Sequence, residues 1–342
     1  TLGREGEPDY EFFRIGTVAS IASGNLVVAN GGTHELRFYS PDGHYLRTVG
    51  RRGEGPEEFG FLSTVWIRPG DTIAVLDSRR RRIVFFDSAG TLVRGESYAQ
   101  DLTDQQPDSE RPCVFPGLMG LLGDGTRVTS GWGCMQFQGT DGRRPTTFSI
   151  DLVRAGGSVP VGEFTASWVW ERASPENPRD FFSINPFAGL LRYAVGPDEV
   201  YLSEGTDFDI KVFDMAGQLV ALLREDDDPP SVLGEDRQAY VEIQAATSRP
   251  HPGDVPFPHR FAAYSDLMLS YEGDLWARRF PIPGESLQQW VVFSRDSQQI
   301  RRLALPDITI ESVRGGKIFG HISDSLGIQT VVVLDGGCLL YT

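Results

Sequence analysis

The sequence is poor in cysteine, with 3 in 342 residues. That excludes a small fold stapled by several disulfides. It holds no run of 18 apolar residues, which excludes a transmembrane helix. Positive charge is short: 32 Lys and Arg stand against 47 Asp and Glu, a net charge of -15. A general nucleic-acid binder needs a surplus of Lys and Arg on one surface, so that class is excluded. Histidine is scarce, with 5. His251 and His259 share one Pro-rich loop, but no Cys or carboxylate stands beside them at ligand spacing, so no metal or other cofactor is expected. No Gly-x-Ser-x-Gly elbow and no Ser/His/Asp set stands out. Gly50 to Gly55 is Gly-rich but lacks the Lys-Ser/Thr of a phosphate loop and reads as a connection between repeats. No catalytic residue is assigned.

Glycine and proline are plentiful. Gly 39 and Pro 22 make up about 18% of the chain, against roughly 12% on average. Such punctuation fits many short strands better than long helices. The first two segments align without gaps at a constant offset of 47. Thr1-Leu2-Gly3-Arg4 matches Thr48-Val49-Gly50-Arg51, Glu11-Phe12 matches Glu58-Phe59, and Phe38 to Gly43 matches Phe85 to Gly90. A period in the forties made of strands is the signature of a propeller blade. Each repeat carries apolar strands, a tight Asp-Gly or Ala-Gly turn, and a final strand ending in Arg, as at Arg47 and Arg94.

The same grammar returns less regularly and predicts an all-β, six-bladed β-propeller. The expected blades are 13–50, 60–95, 112–164, 187–224, 261–305 and 308–335, with insertions at 165–186 and 225–260. One short helix is expected between blades four and five, over 235–247, with Ala239, Ile243 and Ala246 at helical spacing and Tyr240 alongside. The extreme N-terminus reads as the tail of an outer strand for blade six. The C-terminal Cys338 to Tyr341 competes for that edge, and both assignments stay open.

These residues resemble the bacterial six-bladed propeller proteins built from repeats of NHL type. The resemblance rests on the linker Gly50-Arg-Arg-Gly-Glu-Gly-Pro-Glu-Glu-Phe59, on Gly273-Asp-Leu-Trp-Ala-Arg278, and on the closing stretch Gly316 to Gly327. It implies an extracytoplasmic, often lipid-anchored or peripheral protein, and no catalytic residue to carry over. Lyase-type relatives of that class place metal-bound His in a central channel, where His321 is the candidate in this sequence. Lactonase-like propellers use a calcium cage of Glu, Asn and Asp, which Asn25, Asn30, Asn177 and Asn185 do not assemble.

Cys113 and Cys134 flank a strand–turn–strand stretch whose turn, Gly123-Asp124-Gly125, lies at their midpoint. In simple register the two stand opposite each other, and a disulfide between them is expected; the alternative is two buried thiols. With a chain that starts at Thr1 rather than Met, the expectation is a signal peptide removed before Thr1 and a periplasmic or extracellular location. Arg79, Arg80, Arg81 and Arg82 form the densest positive run, on a rim loop of blade two. It reads either as a solvated turn or as a docking patch for an acidic partner or lipid head groups, worth roughly 1 kcal/mol per charge near an anionic membrane. Trp168, Trp170, Phe181 and Phe182 form an aromatic group in the first insertion, either a local plug or an interface hot spot. Trp276 and Arg278 share one face of a blade-five strand.

The leading expectation is a non-catalytic interaction or scaffold protein that docks onto a protein partner. One concrete version is an accessory subunit on the periplasmic face of a bacterial respiratory or photosynthetic membrane complex, with peripheral membrane association. The alternatives are a propeller that binds a small ligand or glycan, and a lyase-like or lactonase-like enzyme using the channel mouth.

Overall fold

Six antiparallel sheets follow one another along the chain in the computed structural model. It describes residues 1–342 except 4–5, 100–113, 134–137, 139, 174–181, 185, 246–255, 296–298, 337–339 and 342. Blade one is β1 (Ile15–Ser20), β2 (Leu26–Asn30), β3 (Glu35–Tyr39) and β4 (Tyr45–Val49). Blade two is β5 (Leu62–Arg68), β6 (Thr72–Asp77), β7 (Arg82–Phe86) and β8 (Leu92–Ser97). Blade three is β9 (Val114–Leu121), β10 (Arg127–Gly133), β11 (Gly142–Arg154), β12 (Gly157–Glu171) and β13 (Phe182–Ile184). Blade four is β14 (Arg192–Val195), β15 (Glu199–Ser203), β16 (Asp209–Asp214) and β17 (Leu219–Arg224). The helix α1 (Gly234–Ala245) follows. Blade five is β18 (Tyr264–Leu269), β19 (Leu275–Arg279), β20 (Gln288–Phe293) and β21 (Ile300–Leu305). Blade six is β22 (Thr309–Arg314), β23 (Lys317–Ser323) and β24 (Gln329–Asp335), and a short β25 (Leu340–Tyr341) ends the series. The fold is therefore an all-β six-bladed propeller with one helix between blades four and five.

Chain contacts define two compact units. One comprises 1–103, 269–273 and 305–340 and holds blades one, two and six; the other comprises 104–268, 274–304 and 341–342 and holds blades three, four and five.

Burial explains the sequence grammar. The second and third strands of blades one and two are buried on both faces: all of β2 and nearly all of β3, β6 and β7. A strand covered on both sides reads as a continuous apolar run, as in Leu-Val-Val-Ala of β2, rather than as an alternation. The fourth strands β4, β8 and β17 are exposed or half-buried. The repeat is visible in contacts as well. Arg47 lies opposite Phe38 with its guanidinium 4.7 Å from the ring centre, and Arg94 lies opposite Phe85 at 3.9 Å. In blades one and two an arginine of the outer strand, within it rather than at its end, thus covers the aromatic ring of the strand beside it. Gly43 and Gly90, again 47 apart, take φ of 85° and 71° in the hairpin turns, a conformation that favours glycine.

Buried polar side chains hold the inter-blade linkers. Asn30 accepts a hydrogen bond from Phe13 N at 2.8 Å and donates to Glu11 O at 3.3 Å. Its repeat equivalent Asp77, fully buried, accepts from Gly60 N at 2.9 Å and Phe61 N at 3.0 Å. Buried backbone N–H groups need partners, and these two side chains supply them where no strand does.

The structure adjusts three expectations. Residues 165–171 of the expected insertion continue β12, which pairs with β11 along its whole length, and 182–184 add β13 as a fifth strand. The alternation of Phe164, Ala166, Trp168 and Trp170 against Thr165, Ser167 and Val169 is that of a strand. The helix does not face inward through Ile243, which is 62% exposed. Tyr240 makes the contact instead, with ring centres 5.2 Å from Phe187 and 5.8 Å from Phe257; Ala246 lies outside the described residues. At the termini, Leu2 and Val331 exchange two backbone hydrogen bonds of 2.8 and 2.7 Å on the edge of β24, whereas β25 joins the edge of β21 in blade five.

Asp77→Ala is expected to lower unfolding free energy by about 3 kcal/mol, since two buried backbone donors lose a charged acceptor. Asp77→Asn should cost less than Ala without being neutral, because its single amide oxygen can accept from one of the two N–H groups while its NH2 faces the other, unlike Asn30, whose NH2 meets a carbonyl. Urea unfolding of both variants checks the order, and equal losses would contradict the capping role.

Candidate functional site

The basic run Arg79 to Arg82 occupies the turn between β6 and β7, but its four charges differ. Arg82 donates to the carbonyls of Gly55 and Glu58 and lies 3.5 Å from Asp77. Arg80 stands 3.6 Å from Glu54. Only Arg79 and Arg81 are exposed. The run therefore locks the linker before blade two with Arg80 and Arg82 and presents two charges outward.

The aromatic group is likewise divided. Trp168 and Trp170 are half-buried on one face of β12, and the Arg143 guanidinium lies 4.0 Å from the Trp168 ring. Phe182 begins β13 by pairing with Glu171, and Phe181 lies outside the described residues. So do Cys113, Cys134, Cys338 and His251. His321 is buried on β23 with Nδ1 3.4 Å from Glu311, and burial lowers its pKa. Among the described residues no three His, Cys, Asp or Glu side chains gather where they could hold a metal ion. Asn30 is engaged by backbone.

Two features escaped the sequence reading. The first is the outer edge of blade four. β17 ends its sheet, and among the described residues no strand pairs with its far side. Leu219, Val220 and Leu222 are 57, 53 and 47% exposed, on both faces of the strand. Arg224, at the end of the strand, is tied to Asp209 by two hydrogen bonds of 2.6 and 2.7 Å, and Lys211, opposite Leu222, pairs with Glu204. The outer strands of blades three and five gain the short strands β13 and β25, and the edge of blade six gains Leu2, so β17 differs from those three. An exposed apolar edge is a template for another strand.

The second feature is a polar cluster at the start of blades four and five. Arg192 and Tyr193 lie on β14, Asp266 on β18 and Arg278 on β19. The backbone docks these strands together: Ala262 N and Ala263 N donate to Phe187 O and Gly205 O, both at 2.8 Å, just before β18 begins. Asp266 and Tyr193 keep surface open to solvent, yet desolvation raises the pKa of both. The charges of Arg192 and Arg278 act on Asp266 in the opposite direction without cancelling that rise.

Comparison with known proteins bears on the fold. The profile of a family described as a 6-bladed beta-propeller matches residues 5–103. No curated protein matches the chain. Among solved structures, the chain is similar to a putative exported protein from Bacteroides fragilis at 11% identity, covering 98% of this chain and 94% of that one, with a TM-score of 0.45. It is similar to virginiamycin B lyase from Staphylococcus aureus at 10% identity over 98% and 88% of the two chains, TM-score 0.39. A gluconolactonase from Xanthomonas campestris matches at 11% identity over 95% and 87%, TM-score 0.42. Likeness at this level says nothing about activity or ligand.

Because the folded state holds the Asp266 proton to higher pH than the unfolded chain, ionising this group costs stability. That penalty is absent below the unfolded value near 3.8 and complete above the raised folded value. Asp266→Asn should therefore stabilise the protein at pH 7, with the gain fading as the pH falls toward 3.8. Thermal unfolding between those pH values tests it, and a gain independent of pH would contradict the desolvated placement.

Proposed function

We propose that this protein is a non-catalytic, extracytoplasmic interaction protein that docks onto a protein partner, which adds an extended segment to the edge of β17. The observation that carries this reading is the unpaired, apolar outer edge of blade four, with Leu219, Val220 and Leu222 exposed. Strand addition draws affinity from main-chain hydrogen bonds and specificity from the alternating side chains. Arg79 and Arg81, the exposed members of the basic turn, give the protein a second, charged contact for an acidic partner or lipid head groups. In its concrete form the protein is a bacterial accessory subunit, with NHL-type repeats, held peripherally on the periplasmic face of a respiratory or photosynthetic membrane complex.

A disulfide between Cys113 and Cys134 belongs to the same reading, since it requires an oxidising compartment. The described part of the hairpin agrees with it, since Val114 pairs with Gly133. The unfolded, unreduced protein should then titrate one free thiol, that of Cys338, whereas three would remove the disulfide and the argument for the compartment.

Docking is tested by a photo-crosslinking residue at position 220 in protein held on its source membranes, with position 93 of β8, equally exposed, as the control. Cross-links to one partner at 220 but not at 93 are expected, and Leu222→Lys should abolish them. A free monomer without cross-links at either position would refute the reading.

A further inference from the structure

Antiparallel pairing puts the turn between the second and third strands of a blade at the same end as the linker that enters its first strand. In blade one, Ile15 and Glu35 both stand opposite Asn30, so Phe13 and Arg14 share an end with residues 31–34. Gly31 N donates to Arg14 O at 3.0 Å and Gly32 N to Phe13 O at 2.8 Å. In blade two, Leu62 and Arg82 both stand opposite Asp77, which sets Phe61 at the end of the Arg79 to Arg81 turn. A Cβ on Gly60, beside Phe61, would lie 3.3 Å from the Arg79 side chain. In blade six, Thr309 pairs with His321 and Ser323 with Gln329, so the turn 324–328 lies at the end where β22 begins. The three ends are neighbours. Phe12 bridges Gln329, whose side chain accepts from Ile15 N at 2.7 Å. A Cβ on Gly31 would lie 2.6 Å from Arg14 O and 3.5 Å from Leu62 O.

This joint end holds large apolar side chains out in water. Leu326, in the blade-six turn, is 83% exposed, Phe13 53% and Phe61 49%. Arg14, Arg79 and Arg81 are exposed on the same end and, among the described residues, pair with no carboxylate. The Arg14 guanidinium lies 5.2 Å from the Phe13 ring centre. Carboxylates of this end are partly engaged: Glu54 lies 3.6 Å from Arg80, Glu58 pairs with Arg51, and Asp324 accepts from Leu326 N and Ile328 N, while Glu57 and Asp307 are exposed.

The backbone here already has its partners. Phe13 N is held by Asn30, Phe61 N by Asp77, and Gly327 N by Asp324 O. That separates this end from the edge of β17. A bare strand edge suits another strand. Projecting apolar tips on satisfied backbone suit the interface of a bilayer, where an N–H shielded from water needs a partner and Phe, Leu and Arg side chains are each tolerated. Guanidiniums without a carboxylate attract anionic head groups even though the chain as a whole carries -15.

We propose that this end of blades six, one and two binds the surface of an anionic lipid bilayer, with Leu326, Phe13 and Phe61 entering the interface and Arg14, Arg79 and Arg81 on the head-group phosphates. It rests on the reading of Arg79 and Arg81 as a second contact and commits that contact to lipid, independently of the edge of β17.

Co-sedimentation of the whole purified protein with lipid vesicles tests the assignment. Phosphatidylcholine vesicles with about one third phosphatidylglycerol should bind it at least about tenfold better than phosphatidylcholine alone, and less well as salt rises. Arg79→Gln with Arg81→Gln should weaken that binding by at least about tenfold. Leu326→Ser with Phe61→Ser should weaken it by at least about fivefold. Val93→Ser, at a similarly exposed position of β8, is the control and should change nothing. Leu222→Lys should leave vesicle binding undiminished, so that failure here and failure of docking at β17 are told apart. Thermal midpoints separate loss of binding from loss of fold. The proposal is overturned if anionic vesicles bind no better than neutral ones, which would give this end to an acidic protein, if binding survives the two arginine changes, or if the two apolar changes leave it intact.

Discussion

The burial of second and third strands on both faces is the constraint on which the rest of this structure depends. A strand covered on both sides carries mostly apolar side chains, as in the run Ile-Ala-Val-Leu of β6, and the polar ones it does carry, such as Asp77, must find partners. Such stacking leaves no room for polar backbone to find water between blades. The linkers therefore need buried acceptors, which Asn30 and Asp77 provide from the ends of β2 and β6. The same constraint pushes variation outward: fourth strands are the ones free to be polar, apolar, covered or bare.

That freedom separates the blades functionally. In blades one and two the outer-strand arginines Arg47 and Arg94 lie across the rings of Phe38 and Phe85. Blades three, five and six cover their edges with additional chain. Blade four leaves Leu219, Val220 and Leu222 in solvent. The outer strands β4 and β8 also end their sheets, but β17 exposes the most apolar side chain, and an apolar bare edge is unfavourable for an isolated molecule because it invites association. A partner strand resolves that cost and gives the proposed docking function its physical basis.

The fold was largely legible in the sequence because its repeat is regular where it matters. The offset of 47 residues aligned Phe38 with Phe85 and Gly43 with Gly90, and the structure places each pair in equivalent roles. The candidate sites were not legible, for two different reasons. The run Leu219-Val-Ala-Leu-Leu223 reads as a buried strand, since a continuous apolar run carries no sign of which sheet edge it occupies. Arg192, Asp266 and Arg278 stand on three strands far apart in sequence, and no local spacing announces that the two guanidinium charges act on this carboxylate. The aromatic pair Trp168 and Trp170 misled in the other direction: surrounded by prolines and charges, it looked like an insertion, whereas period-two alternation had already marked a strand.

Amide hydrogen exchange across 219–224 is the most direct test of the central claim, that the edge of β17 is where this protein meets its partner. Every second N–H of that strand points away from β16, and among the described residues no strand pairs with that side. Compared between purified protein and protein held in its native membranes, those amides are predicted to exchange markedly more slowly in the membranes, with β8 unchanged. Equal exchange in both settings would contradict the account.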